Sequence, residues 1–296
     1  MSGQPERLPC ELDDGAVAAA AEPRGICLRL AYAGTRYSGW QAQPGRMTVQ
    51  GTVAAAIAAI SGETIMPRGT SRTDAGVHAL DQIVAFTTTS PLAAGVWLKA
   101  LNAHLPADVS VTAACATPAD FDPFAVAVRK RYRYRVHDAV AKPVLSGHEV
   151  WRWRGRLDCG RMHDAAAALV GRHDFTSFEA APSTRRSKVR TIQSLEVQRV
   201  AGADGGDPAV HPEVWPEVWI DVEGDGFLHN MVRIIAGSLV MVGAGRRPPE
   251  WLGSALAARS RPAAGPTAPP QGLVLVRTVL EPDPFASSIA SPSLPS

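Results

Sequence analysis

The sequence predicts two α/β halves of similar element content. Three observations carry this. Short apolar runs of strand type alternate with segments of helical period along both halves of the chain. With 296 residues, either one large domain or two modest ones can bury a substantial core. Hydrophobic residues at 46% and charged residues at 20% fit a soluble globular protein, and no apolar run is long enough to span a bilayer.

The fold is expected to begin near Gly25, after an acid-containing segment, residues 1–24, that lacks the apolar core of a signal peptide and reads as a flexible tail. Residues 26–32 alternate loosely and read as a strand, followed by a loop rich in glycine, aromatics and hydrogen-bonding groups, 33–41. A helix is expected over Val49 to Ile60, with Thr48 as N-cap, one apolar face in Val49, Val53, Ala56, Ile57 and Ile60, and Ser61-Gly62 as its stop. The apolar run 64–66 suggests a strand ending near Gly69, and a second strand starts near Gln82. A helix over Gly95 to His104 and a strand over Val109 to Thr117 complete a β-α-β-α-β first half, residues 25–125. In the second half, residues 126–281, strands are expected at Arg131–His137, Val189–Val200, Val214–Val222 and Leu273–Leu280. Helices are expected at Arg161–Val170, His229–Gly243 and Pro249–Arg259. Residues 201–212 read as a long loop, and 282–296, rich in Ser and Pro, as a flexible tail.

Between the strand ending near Gly69 and the one starting near Gln82 lies a Gly-flanked loop, Gly69 to His78, displaying Arg72 and Asp74. An arginine two residues from an aspartate favours the ionised carboxylate, which can act as nucleophile or base while the arginine places an anionic substrate. An Asx-turn with a solvated arginine has the same composition. On the strand 129–135, period two puts Arg129, Arg131, Arg133 and Arg135 on one face and Lys130, Tyr132 and Tyr134 on the other. Such a strand can stack a nucleobase on a ring while cations hold phosphates; an edge strand protected by charge reads the same way. Net charge is only +2, but 26 of the 30 basic residues are arginine, the cation suited to bidentate phosphate contacts. Four widely spaced cysteines without a CxxC pair, and eight histidines without ligand spacing, imply neither a zinc site nor a disulfide framework.

Arg72-Thr73-Asp74-Ala75-Gly76-Val77-His78 resembles the RTDAGVHA motif of the tRNA pseudouridine synthase A family. Other segments are similar in the expected order: 33–41 to YDGTxYxGWQ, Leu101–Pro106 to LNxxLP, 129–135 to RRYRY, 173–178 to xDFTSF, 226–233 to FLxxMVR and 272–275 to GLxL. Departures stand at Ala33, where Asp is usual, at Asp81, which adds a carboxylate near Asp74 in sequence, and around Phe124, where an Arg is missing.

The resemblance implies an α+β fold, two ferredoxin-like halves forming one continuous antiparallel sheet with helices packed on it and a central RNA-binding cleft. It implies isomerisation of uridine to pseudouridine at positions 38, 39 and 40 of the tRNA anticodon stem-loop, by a cytoplasmic homodimer that needs no metal or cofactor. Asp74 corresponds to the catalytic residue. Attack on the ribose C1′, attack on uracil C6 and removal of the 2′ proton are all open to it. Arg72 fills the gap left by the flipped base or grips its phosphate, Tyr132 stacks on the base and is a candidate to take the C5 proton, and Leu273 packs beneath. Arg131 and Arg233 join the substrate-binding set, Arg233 either pairing with Asp74 or binding phosphate. A related synthase with shifted site choice and a silent tRNA-binding protein on the same scaffold are the alternatives.

Overall fold

The computed structural model describes residues 22–180, 187–201 and 216–286. The segments read as tails therefore fall largely outside the described residues, as does nearly all of the 201–212 loop.

Strand β1 (Arg24–Tyr32) leads to helix α1 (Val49–Ser61), whose N-cap is Thr48: its hydroxyl accepts from the Gly51 amide at 3.3 Å. Val49, Val53, Ala56 and Ile57 are buried, and Gly62 ends the helix in the left-handed region at φ 75°, a conformation glycine adopts without strain. A two-residue strand β2 (Arg68–Gly69) precedes the long β3 (His78–Thr88). The apolar run 64–66 is not a strand; pairing is confined to the two residues that reach Val84 and Ala85. Helix α2 (Ala94–His104), strand β4 (Val109–Thr117) and the one-turn α3 (Pro123–Val126) complete the first half.

The second half opens on β5 (Ala127–His137), longer than the period-two core alone suggested, and β6 (Trp151–Arg152). Helix α4 (Cys159–Ala166) is capped by Asp158 and passes into a 3-10 turn, and β7 (Gly171–Asp174) pairs with β8 (Val189–Ala201). Strand β9 (Pro216–Gly224), helix α5 (Met231–Gly243), helix α6 (Trp251–Ala257) and β10 (Leu273–Leu280) follow. Helix α5 starts two residues later than its apolar spacing suggests because Asn230 is left-handed. Leu228, Met231, Val232, Ile235 and Leu239 are all buried as that spacing requires.

All ten described strands belong to one sheet, with the path β4-β1-β3-β10-β5-β9-β8-β7, β2 on β3 and β6 on β5. The sheet is mixed, which corrects the antiparallel expectation. Most pairs are antiparallel, but β10 runs parallel to β3 through Val274↔His78 and Leu275↔Ala79, and β6 runs parallel to β5. The parallel seam arises because β3 and β10 come from different halves and meet edge to edge, closing two edges that would otherwise expose unpaired backbone. Helices α1 and α2 cover one core, with Leu28, Leu30, Val84 and Phe86 below them. Helices α4, α5 and α6 cover another over β5, β8 and β9.

Candidate active site

Above the seam between the halves lies an open pocket of about 1380 Å³, lined by the 70–77 loop, Tyr132, Leu273 and the approach to α5. The loop is polar yet mostly buried, so its hydrogen bonds must be made internally. Trp40 N donates to Thr73 O at 3.0 Å, the Tyr32 hydroxyl meets Thr73 Oγ1 at 2.8 Å, and the fully buried Gln82 donates to Ser71 O at 2.5 Å. Val77 N closes a turn on Asp74 O at 3.1 Å. The turn thus uses the Asp74 backbone and leaves its carboxylate for the pocket.

Gly34 braces the loop from behind. Its amide donates to Nδ1 of His78 at 3.1 Å, and burial holds that imidazole below its ordinary pKa, so it accepts as a neutral ring. A Cβ on Gly34 would stand 1.9 Å from the Val77 carbonyl oxygen. The oxygen is backbone and the backbone fixes the position of a Cβ, so no rotamer relieves the clash. Gly34→Ala is expected to lower stability by about 1–3 kcal/mol, as overpacking does, with turnover falling alongside; a melting temperature equal to wild type would show that the loop yields freely.

The charge partner of Asp74 is Arg233, not Arg72. Arg233 Nη1 lies 3.2 Å from Asp74 Oδ2, and His229 Nε2 lies 3.7 Å from Oδ1. Arg72 is exposed at the pocket wall, and no ion pair to it is found among the described residues. Two residues of separation along a turn project these side chains apart. Asp81 is engaged elsewhere, receiving Arg29 at 2.7 Å and the Thr278 amide at 2.8 Å, and does not line the pocket. Phe124, 48% exposed, stands at the pocket edge.

Tyr132 presents its ring to the pocket, edge-on to Phe227 with centroids 5.2 Å apart. Burial, with the Asp74 carboxylate adding, pushes its phenol up to about 12. Leu273, 6% exposed, opens β10 on the pocket wall. Lys130 shares the Tyr132 face and donates to the Thr70 carbonyl, fastening β5 to the loop.

Arg131, expected in the substrate-binding set, does not line this pocket. Alternation along β5 turns Arg129, Arg131, Arg133 and Arg135 to the opposite side, where carboxylates meet them. Asp221 receives Arg131 at 3.1 Å and Arg133 at 2.9 Å, and Arg133 also lies over Trp219 at 3.6 Å. Arg135 grips Glu217 with two bonds, at 2.8 and 2.7 Å, in a nearly enclosed pair. Arg135→Ala should therefore cost about 3 kcal/mol in urea unfolding, because it strands a buried carboxylate, the low end applying since Trp219 Nε1 still donates to Glu217 at 2.7 Å.

His229, Asn230 and Lys130 join the site without having been singled out. Helical spacing offered a signal, since His229 and Asn230 stand four and three residues before Arg233, where side chains are neighbours.

A family model described as tRNA pseudouridine synthase matches residues 30–124 and 165–279. A protein from Geotalea uraniireducens named tRNA pseudouridine synthase A is 42% identical over 253 residues, covering 86% of this chain and 98% of that protein. One of the same name from Moorella thermoacetica is 43% identical over 255 residues, 85% and 98% of the two chains. Another from Myxococcus xanthus is 41% identical over 248 residues, 84% and 89%.

Proposed function

The chain belongs to the tRNA pseudouridine synthase family, and from that premise we propose that this tRNA pseudouridine synthase acts on uridines 38, 39 and 40 of the anticodon stem-loop. The observation that carries the site assignment is the Asp74 carboxylate, held by Arg233 and turned into a pocket that also presents an aromatic ring and an apolar wall. A base in a stem is stacked and must be flipped out, at a cost of a few kcal/mol. Arg72, exposed at the wall, fills the gap or grips the flipped nucleotide's phosphate. Tyr132 and Leu273 enclose the base. Asp74 starts cleavage of the N1–C1′ bond; uracil then rotates and rejoins C1′ through C5, the deprotonated form of Tyr132 takes the C5 proton, and N1 gains a proton in its place. Arg233 orients Asp74.

The pocket lining carries five Arg or Lys side chains against two carboxylates, which supports an RNA-binding cleft in a chain of net charge +2. The order β10-β5-β9-β8, in which the last strand of the second half lies beside its first, supports reading the halves as ferredoxin-like. We also assign a homodimer. A second hollow of about 410 Å³ on the arginine side of β5, with Val274 and Val276 in its wall and Leu80 59% exposed, supports a face for another copy. Among the described residues no helix is long and apolar enough to cross a membrane, and the reading places the enzyme with its tRNA in the cytoplasm.

Site-mapped pseudouridine in an unmodified tRNA transcript tests the reading. Product at 38, 39 or 40 is expected; product elsewhere keeps the chemistry and refutes the site choice, and tight binding without product refutes the enzyme.

A further inference from the structure

We infer that Asn230 is a positioning residue that aims Arg233 at Asp74, an inference resting on Asp74 as the reacting carboxylate. Asn230 occupies the N-cap position of α5, where a residue normally has extended backbone and its side-chain oxygen accepts from an amide of the first turn. Neither holds here. Its backbone is left-handed at φ 59°, ψ 8°, a region that disfavours side chains, and among the described non-glycine residues only Arg259 shares a positive φ. Its side chain makes no capping bond.

Both departures have one beneficiary. Turned out of the cap, Asn230 Oδ1 accepts from Arg233 Nη1 at 2.6 Å, while its Nδ2 lies 3.3 Å from Nε2 of His229. Arg233 Nε donates to the Ala268 carbonyl at 2.8 Å. Two fixed acceptors therefore hold a guanidinium that is only 15% exposed, and the Nη1 bonded to Asn230 is the nitrogen that reaches Asp74 Oδ2 at 3.2 Å. Without Asn230, the Ala268 carbonyl would be the only acceptor besides Asp74 itself, and the guanidinium could pivot about Nε and carry Nη1 away from the carboxylate.

Glycine separates the backbone from the side chain, because it adopts the left-handed region without strain. Asn230→Gly is expected to keep the melting temperature and to hold KM for tRNA within about twofold, while kcat falls at least tenfold. Asn230→Asp, which tolerates the same backbone and keeps an acceptor, is expected to retain more than half of wild-type kcat. A glycine variant with wild-type kcat overturns the inference, as does an aspartate variant that falls as far as glycine, or a kcat loss matched by a lower melting temperature. A wild-type enzyme that makes no pseudouridine in tRNA removes the reading of the site, and this inference with it.

Discussion

Asp74→Ala is expected to abolish pseudouridine formation, a loss of at least about 10⁴-fold, the order seen when a reacting side chain is removed, while tRNA affinity stays within a few-fold of wild type. The pocket walls hold one other carboxylate, Asp225, and its Oδ1 already accepts from the Thr191 amide at 3.0 Å. Asp74 alone pairs a carboxylate open to the pocket with a fixed cation. The loop should survive the substitution, because Val77 N, Trp40 N and Tyr32 bond to its backbone and to Thr73 rather than to the Asp74 side chain. Removing a negative charge from a wall proposed to face phosphates gives no reason for weaker binding. Single-turnover assays with filter binding measure both quantities, and turnover within a hundredfold of wild type would move the chemistry to another group.

Tyr132→Phe should slow turnover by about 10² to 10⁴-fold, the usual contribution of a positioned proton acceptor, with tRNA affinity unchanged. The substitution keeps the ring packed edge-on to Phe227 and removes only the hydroxyl. With the phenol pushed up to about 12, it is protonated at neutral pH and offers the base an uncharged face. If its deprotonated form takes the C5 proton, the active fraction grows tenfold per pH unit below that value. The single-turnover rate of the wild type should thus climb through the alkaline range, and that of the variant should stay flat. Equal profiles in the two would confine Tyr132 to stacking.

Local chemistry made α1 legible: a threonine before an apolar face and a glycine after it fix both ends of a helix, and the structure has both caps. The alternation on β5 likewise separated Lys130, Tyr132 and Tyr134 from the four arginines. What each face meets was not legible, because Asp221 and Glu217 approach the arginines across β9, some 80 to 90 residues away in sequence. The same limit applies to Asp74. Arg72 is its neighbour along the chain, but its ion-pair partner, Arg233, comes from a helix 159 residues on. The parallel seam escaped for the opposite reason: two residue pairs leave no periodic trace. The left-handed backbone of Asn230 lies inside an apolar pattern that reads as continuous helix, and only its neighbours in space account for it.

Strand β10 lies between β3 and β5, so the two halves meet through the last strand of the second half, which follows both β3 and β5 in the sequence. The first half can pair β1, β3 and β4 as soon as they emerge during synthesis, since domains generally fold as units from the N-terminus. Until β10 arrives, the edges of β3 and β5 face each other unjoined, and Leu273 is absent from the pocket wall. Closing that gap brings together strands separated by most of the chain, a slow kind of contact to form. A nascent or prematurely stopped chain ending before Leu273 would therefore carry the Asp74 loop without an assembled site, which ties competence to modify RNA to completion of translation through the β10 strand.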